Sequence, residues 1–420
     1  MTQSSRSIAI IGSGIAGLTV AEGLHRHRPI TVYESEAWIG GHTHTVDVQE
    51  ADRVVSVDTG FIVCNEWTYP NFLALLARYG INTQNSNMSF AVSDECTGLE
   101  YNGTNLNTLF AQRRNVFSPG FLGMIADILR FNRAAPALLE EPGPGPTLGE
   151  WLSQHRYGRR FLEHYIVPMG RSIWSAQKDA LLGFPARFFV DFFQRHGFLN
   201  IDNRPVWQVV PGGSSRYVEI ITAAFRDRIR TSTPIQSITR DADGVTVVLG
   251  DGTAVQHDAV VIATHADSAL KLLGDASAEE RALLGAFPFE PNDVVLHTDQ
   301  RLLPTVPLAR AAWNFQIRAD RDTGCSLTYD MNVLQSLNSA QRYLVSLNLT
   351  DRIDPAKILG RWNYAHPVYT PAAVAAQARH TEISGQRNTY YAGAYWRYGF
   401  HEDGVVSGLS VLDQLGIPRA

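Results

Sequence analysis

Three glycines fix what the first thirty-five residues are able to form. An apolar run, Ile8 to Ile11, suits a buried parallel strand, and Gly12-Ser13-Gly14-Ile15-Ala16-Gly17 follows at once and leads into the helical pattern LTVAEGL. In such a turn the first glycine allows the reversal and the second lets the backbone approach a pyrophosphate. The third lets the helix pack on the strand with its N-terminus facing the anion. The chain returns as ITVYE, a second strand ending in Glu34, twenty residues after Gly14. An acidic side chain there accepts hydrogen bonds from ribose hydroxyls and repels a 2′-phosphate, which disfavours NADP. The pattern predicts an adenine dinucleotide site. It does not separate NAD from FAD, since both use the same turn and the same acid.

Composition narrows the class. The chain has 420 residues, 45% hydrophobic and 18% charged, with 36 basic against 41 acidic side chains and a net charge of −5. These values exclude a disordered tail and a basic nucleic-acid binder, and the length predicts two or three domains. Cys64, Cys96 and Cys325 lie too far apart in sequence to suggest a disulfide framework or a zinc site. The start, MTQSSRSIAIIGSG, lacks the character of an export signal, and no run of about 18 apolar residues occurs. The expected compartment is the cytosol, with any membrane contact peripheral. Only Lys178, Lys271 and Lys357 are lysines, which restricts any chemistry that needs one.

After Glu34 come Gly40-Gly41-His42-Thr43 and then VVSVDTGFIV, a further strand with Asp58-Thr59-Gly60-Phe61 at its end. The run E-x5-GG-x-x-x-T followed by D-x-G resembles the FAD-binding start of the flavin amine oxidase, protoporphyrinogen oxidase and phytoene desaturase superfamily. Within it, DTGFIV-x-N-x-x-TYP at 58–70 and YGFHEDG at 398–404 resemble a bacterial branch of FAD-dependent amine oxidoreductase-like proteins. The resemblance selects FAD over an NAD-only dehydrogenase, the second reading of the cofactor. It implies cofactor contacts from Gly12, Ser13, Gly14, Ile15, Ala16, Gly17, Glu34, Ser35, Gly41, His42, Thr43, Thr59, Gly60 and Phe61. It further implies Ile235, in the V-x-x-I pattern on the adenine side, with Thr264, and in the C-terminal flavin signature Gly393, Ala394, Asp403, Gly404 and Val405. Relatives usually carry arginine near the phosphates where this chain has His42. No cysteine lies in the C-terminal signature, so non-covalent FAD is expected.

The implied fold is α/β: a Rossmann-like FAD-binding domain of the glutathione reductase type with an interleaved α+β substrate domain. The expected boundaries are 1–85, 205–275 and 375–420 for the first, and 86–204 and 276–374 for the second. The stretch 86–204 reads as helix-rich and aromatic, with a Pro/Gly connection at 140–147. The stretch 276–374 alternates strand-like runs with polar turns, which suits a sheet flooring a substrate cavity.

A flavin accepts hydride at N5, so the protein has to place a substrate C–H there and exclude water. Aromatics dominate the candidates. Phe184 to Phe198 reads first as a helical core, whereas Tyr395, Trp396, Tyr398 and Phe400 sit on a loop beside the flavin signature, where binding residues concentrate. Tyr395 and Trp396 are therefore candidate site residues, with His401 the candidate for proton transfer and His366, near Trp362, the second. Amine oxidases in the resembling superfamily usually hold a water at N5 with a lysine, for which Lys357 is the candidate here. Desaturase relatives act on apolar C–C bonds, and an aromatic, lysine-poor cavity suits them better. Genes of the resembling branch often stand beside cyclopropane fatty acid synthase-like genes, which implies lipid acyl chains. The expected partner is an apolar small molecule or lipid, with no nucleic acid. The helical face of Phe121, Ile125, Ile128 and Leu129 reads as core packing before an acyl tunnel or bilayer contact. Amine oxidation and a catalytically silent flavoprotein partner of a lipid-modifying enzyme are the alternative functions.

Overall fold

A computed structural model describes residues 7–320 and 324–418; residues 1–6, with which the segment read for an export signal begins, lie outside it. Two sheets organise the chain. The first is a five-stranded parallel sheet in the order Ile229–Arg230, Ile30–Tyr33, Ile8–Ile11, Ala259–Ile262, Thr389–Tyr391. Its strands come from three separated stretches, and the strand leading into the glycine turn is at its centre. Near-continuous apolar runs such as IAII and AVVI are what a parallel strand covered on both faces requires.

Alternate residues of these strands feed two cores. Ile8, Ile10, Val32 and Val261 pack beneath the helices Ile15–Leu24 and His401–Gln414. Ala9, Ile11, Val260 and Ile262 pack against an antiparallel sheet of Ile235–Asp241, Gly244–Leu249 and Ala254–His257, and against the helices Ala266–Leu272 and Ala278–Leu284. The C-terminal helix approaches the first helix so closely that a Cβ on Gly404 would lie 2.6 Å from Ile15 Cγ2, and one on Gly408 2.8 Å from the Ala16 carbonyl.

The second sheet has seven strands in the order Ile358–Pro367, Phe289–His297, Leu344–Leu347, Leu327–Asp330, Trp313–Ile317, Phe90–Asp94, Leu99–Asn102. Trp313–Ile317 runs parallel to Phe90–Asp94, and the other neighbours are antiparallel. Two of these strands fall in the stretch read as helix-rich. The alternation that would mark them is blurred, because Val92, Leu99 and Tyr101 are buried beneath Phe121 and Met124 of the helix Pro119–Ala134. On that helix Phe121 is fully buried and Ile125 and Ile128 pack partly against the core, so the face read as core packing is core, except that Leu129 stands 44% exposed. Phe184, Phe188, Phe189, Phe192 and Phe193 are buried in a helical core with Trp174 and Tyr369, as a helical aromatic stripe predicts.

A buried arginine joins the antiparallel sheet to the parallel one. Arg240 donates from both terminal nitrogens to Glu280 at 2.8 Å, and Tyr391 Oη donates to the same carboxylate at 2.6 Å. Arg240→Ala leaves a buried carboxylate unpaired and is expected to destabilise the fold by about 3–5 kcal/mol. Arg240→Lys, lacking the two-pronged geometry, should recover only part of this in urea unfolding.

Candidate functional site

The site begins where the central strand ends. Gly12 has φ +99, and a Cβ there would lie 2.8 Å from the Ala263 carbonyl. A Cβ on Gly17 would lie 2.1 Å from the Gly12 carbonyl, which is how helix and strand come to pack backbone to backbone. Around Gly14, by contrast, nothing lies within 4 Å of a built Cβ, and Gly14 caps the helix Ile15–Leu24. The open face of the turn is therefore the one from which the helix N-terminus meets an anion. Ile15 and Ala16 are buried in the first turn of that helix.

Glu34 braces this turn. Ser13 donates to Glu34 Oε2 from its backbone N–H at 2.9 Å and from Oγ at 2.6 Å, while Glu36 N–H and Ser35 Oγ donate to Oε1 at 3.0 and 3.3 Å. Thr233 N–H donates to the Glu34 carbonyl at 2.8 Å, bringing the chain toward half-buried Ile235 to the acidic end of the turn. Thr264 follows the strand Ala259–Ile262, its methyl 3.5 Å from the built Cβ of Gly12.

The paired glycines abut the same turn: a Cβ on Gly41 would lie 3.1 Å from Gly14 Cα. His42 comes next, in a cluster that joins distant segments. Its ring centroid is 5.5 Å from His265, 5.6 Å from His366 and 5.1 Å from Tyr364. His42 Nε2 is buried and finds no hydrogen-bond partner among the described residues. Burial, then the neighbouring His265, His366 and His401, pushes the His42 pKa well down, and burial takes His366 down to about 4. The cluster is neutral at pH 7 in the absence of an anion.

Behind it, Thr43 Oγ1 lies 2.7 Å from Tyr217 Oη, which lies 2.6 Å from His401 Nε2. Thr59 Oγ1 reaches Tyr364 Oη at 3.0 Å, Phe61 N–H donates to the His42 carbonyl at 2.7 Å, and a Cβ on Gly60 would lie 2.1 Å from that carbonyl. Phe61 stacks on the His401 ring at 3.7 Å and 10°. The pattern of the flavin-containing amine oxidoreductases matches residues 15–414. The chain belongs to that family. It is a flavin oxidoreductase, and the dinucleotide turn makes the flavin FAD.

The fold is similar to cyclohexylamine oxidase from Brevibacterium oxydans, at 16% identity and a TM-score of 0.70 over 98% of this chain and 100% of that one. It is similar to a CLA-producing fatty acid isomerase from P. acnes, at 16% identity and 0.69 over 98% and 99%. It is also similar to a protein described as a protoporphyrinogen oxidase from Exiguobacterium sp., at 17% identity and 0.69 over 98% and 99%. No curated protein matches the sequence.

The residues present fit FAD. The open face at Gly14, the free first-turn amides of the helix and the unpartnered imidazole of His42 supply donors for a pyrophosphate, and Glu34 stands at the ribose end. His42 serves where relatives of the resembling superfamily usually place arginine, so its charge depends on a proton.

The C-terminal signature departs from expectation. Tyr395 and Trp396 are 3% and 6% exposed and pack on Phe287, with Trp396 also against His380, so they belong largely to the core, although Trp396 also reaches the wall of a cavity that it shares with Phe188 and Tyr398. A loop sequence does not reveal that another segment covers it. Gly404 donates its N–H to the Phe400 carbonyl and packs on Ile15, and Val405 is buried in the first core, so both serve helix packing. Gly393 donates its N–H to Ser407 Oγ at 2.9 Å, and Ala394 beside it is half-buried. Asp403 accepts from Phe400 N–H at 3.0 Å, and burial pushes its pKa up to about 6. At His401 burial pushes the pKa down to about 3, which disfavours proton transfer near neutrality, and the ring stacks on Phe61. His265 and Tyr364 were missed as site residues; the place of His265 directly after Thr264 was the available signal.

Two outcomes are expected. Gly17→Ala forces a backbone overlap and should lower stability by about 1–3 kcal/mol or prevent folding, whereas Gly14→Ala should keep the unfolding midpoint of the apoprotein and lose bound FAD, read from urea unfolding of the FAD-stripped proteins and from flavin absorbance. The folded pKa values of His196, His297 and His366, at about 4, and of His401, at about 3, lie below their unfolded value. Their contribution is present above about pH 6.5 and is lost as pH falls toward 4, about 2 kcal/mol each at pH 5. Asp58 and Asp403, raised to about 6, act oppositely and return about 1 kcal/mol each. The apoprotein should unfold at clearly lower urea at about pH 5 than at about pH 7.5.

Proposed function

We propose that this flavin oxidoreductase acts on an apolar, lipid-type substrate, taking a hydride from an acyl chain to introduce or move a C–C double bond. Bound FAD supplies the hydride acceptor. The observation that carries this reading is the face that the seven-stranded sheet turns toward the nucleotide-binding part. Strand register sets Tyr329 opposite Trp313, Leu327 opposite Leu347, and Tyr364 and Trp362 along the edge strand. These side chains exclude water and would hold an alkyl chain by contact area, with Glu290, cross-strand from His366, the carboxylate at the end of this face. His366 shares the face and, with its pKa near 4, stays neutral there.

Amine oxidation is the second reading, favoured by Glu290, cross-strand from His366, a carboxylate that would meet an ammonium. The lysine expected to serve it does not: Lys357 pairs with Asp299 at 3.4 Å and stands 42% exposed at its side chain, and Lys271 pairs with Asp267 at 2.8 Å. Lys178 follows Gln177, whose N–H donates to Glu290 at 3.2 Å, and is the lysine to test under that reading. A silent partner role is disfavoured by an intact dinucleotide cradle.

Anaerobic titration of the purified holoprotein decides between them. Unsaturated acyl lipids are expected either to bleach the flavin band, with products that have lost two hydrogens, or, where the hydride returns to the chain, to give products with a shifted double bond and an oxidised flavin at the end; amines do neither. Bleaching by amines alone overturns the lipid reading. Tyr329→Asp, which adds a charge to the apolar face, should slow reduction by acyl chains on the order of tenfold or more while retaining FAD.

A further inference from the structure

One region of the surface combines apolar tips with unpaired cations. Leu106, Val116, Phe117, Leu122 and Leu129 are exposed, Phe117 at 87% and Leu106 at 74%. Leu308, also exposed, lies on the turn Pro307–Ala309 that packs against the helix Leu106–Leu109. Exposed apolar side chains scattered singly need no explanation, but a contiguous group does.

The helix Pro119–Ala134 organises the group. Ser118 caps it, and its inner face is anchored by Phe121, Met124 and Phe131, so the outer face is presented by a fixed element. That outer face carries Leu122, Ala126, Leu129, Arg130 and Arg133, and the short helix Arg113–Phe117 before it ends on Phe117. Arg113, Arg114, Arg133 and Arg160 have no carboxylate partner among the described residues; Arg113 and Arg114 donate only to uncharged groups, the Asn107 side chain and the carbonyls of Asn107, Phe110 and Gly98. Arg160 lies over Gly120, its Nε 3.0 Å from a Cβ built there, which brings a further cation to the same helix start. Asp127, the acid of this helix, is occupied by Arg130 at 2.8 Å. A protein of net charge −5 thus concentrates free positive charge where it also exposes its largest apolar tip.

We infer that this face docks on an anionic phospholipid bilayer, with Phe117, Leu122 and Leu129 inserted at the acyl boundary and the arginines set against the headgroups. Amphipathic helices that lie in the bilayer plane combine these two features, apolar side chains for insertion and arginines for anionic lipid. No helix of the described residues is long and apolar enough to cross a membrane, so the contact is peripheral. The inference does not rest on the substrate reading.

The test uses the holoprotein and vesicles of fully saturated lipids, which offer no double bond to act on. Co-sedimentation is expected with phosphatidylcholine/phosphatidylglycerol vesicles, to fall as salt is raised, and to be weak with phosphatidylcholine alone. The double variant Phe117→Ser/Leu122→Ser should lose about tenfold or more in partitioning without a change in unfolding midpoint, since both side chains are exposed. Arg113→Gln/Arg114→Gln should remove the preference for anionic vesicles and leave residual binding. Failure of the wild type to bind either vesicle overturns the inference, as does equal binding by Phe117→Ser/Leu122→Ser. Light scattering that shows an oligomer which the same double variant dissociates would assign the face to a second copy of the chain and overturn it equally.

Discussion

The contact between the Gly17 Cα and the Gly12 carbonyl, too close for any side chain, is the constraint on which the remaining architecture depends. It lets the first helix start directly above the end of the central strand, with its unpaired amides turned to the open space at Gly14. The same logic recurs where the C-terminal helix, through Gly404 and Gly408, lies against that first helix. Close approach at glycines joins the central strand to the first helix and that helix to the C-terminal one, and Glu34 locks the turn by taking both donors of Ser13. A cofactor site built this way is shaped by main chain first and side chains second.

Charge is managed sparingly in the interior. Histidines at 42, 265, 366 and 401 are held neutral by burial, with neighbouring histidines adding to it at His42 and His366, while Asp58 is satisfied by Thr45, by Ser214 and by Gln335 reaching across from the other sheet's side. An anion arriving at His42 therefore finds hydrogen-bond donors ready to take up a proton instead of a standing positive charge. This sets the chain apart from members of the resembling superfamily with arginine at that position.

Much of this was legible in the sequence because it is local. The glycine turn, Glu34 and the final helix each depend on residues a few positions apart, and their spacing carries their geometry. The three-stretch parallel sheet followed from the same strand signals. What was not legible depends on contacts between distant segments. Tyr395 and Trp396 occupy a loop, yet Phe287 covers them. Tyr364 and His366 meet His42 only because the edge strand Ile358–Pro367 is set beside the nucleotide turn, and His265 joins them from the end of the strand Ala259–Ile262. The strands Phe90–Asp94 and Leu99–Asn102 were hidden because the helix Pro119–Ala134 buries one face and neighbouring segments part of the other.

The way the chain is threaded has a mechanical consequence. It leaves the parallel sheet after Tyr33 and joins the seven-stranded sheet at Phe90, returns from Asn102 to Ile229, leaves again from Ile262 to Phe289, and comes back from Pro367 to Thr389. Four covalent tethers between the two sheets make a hinged jaw impractical, since opening would have to bend all of them together.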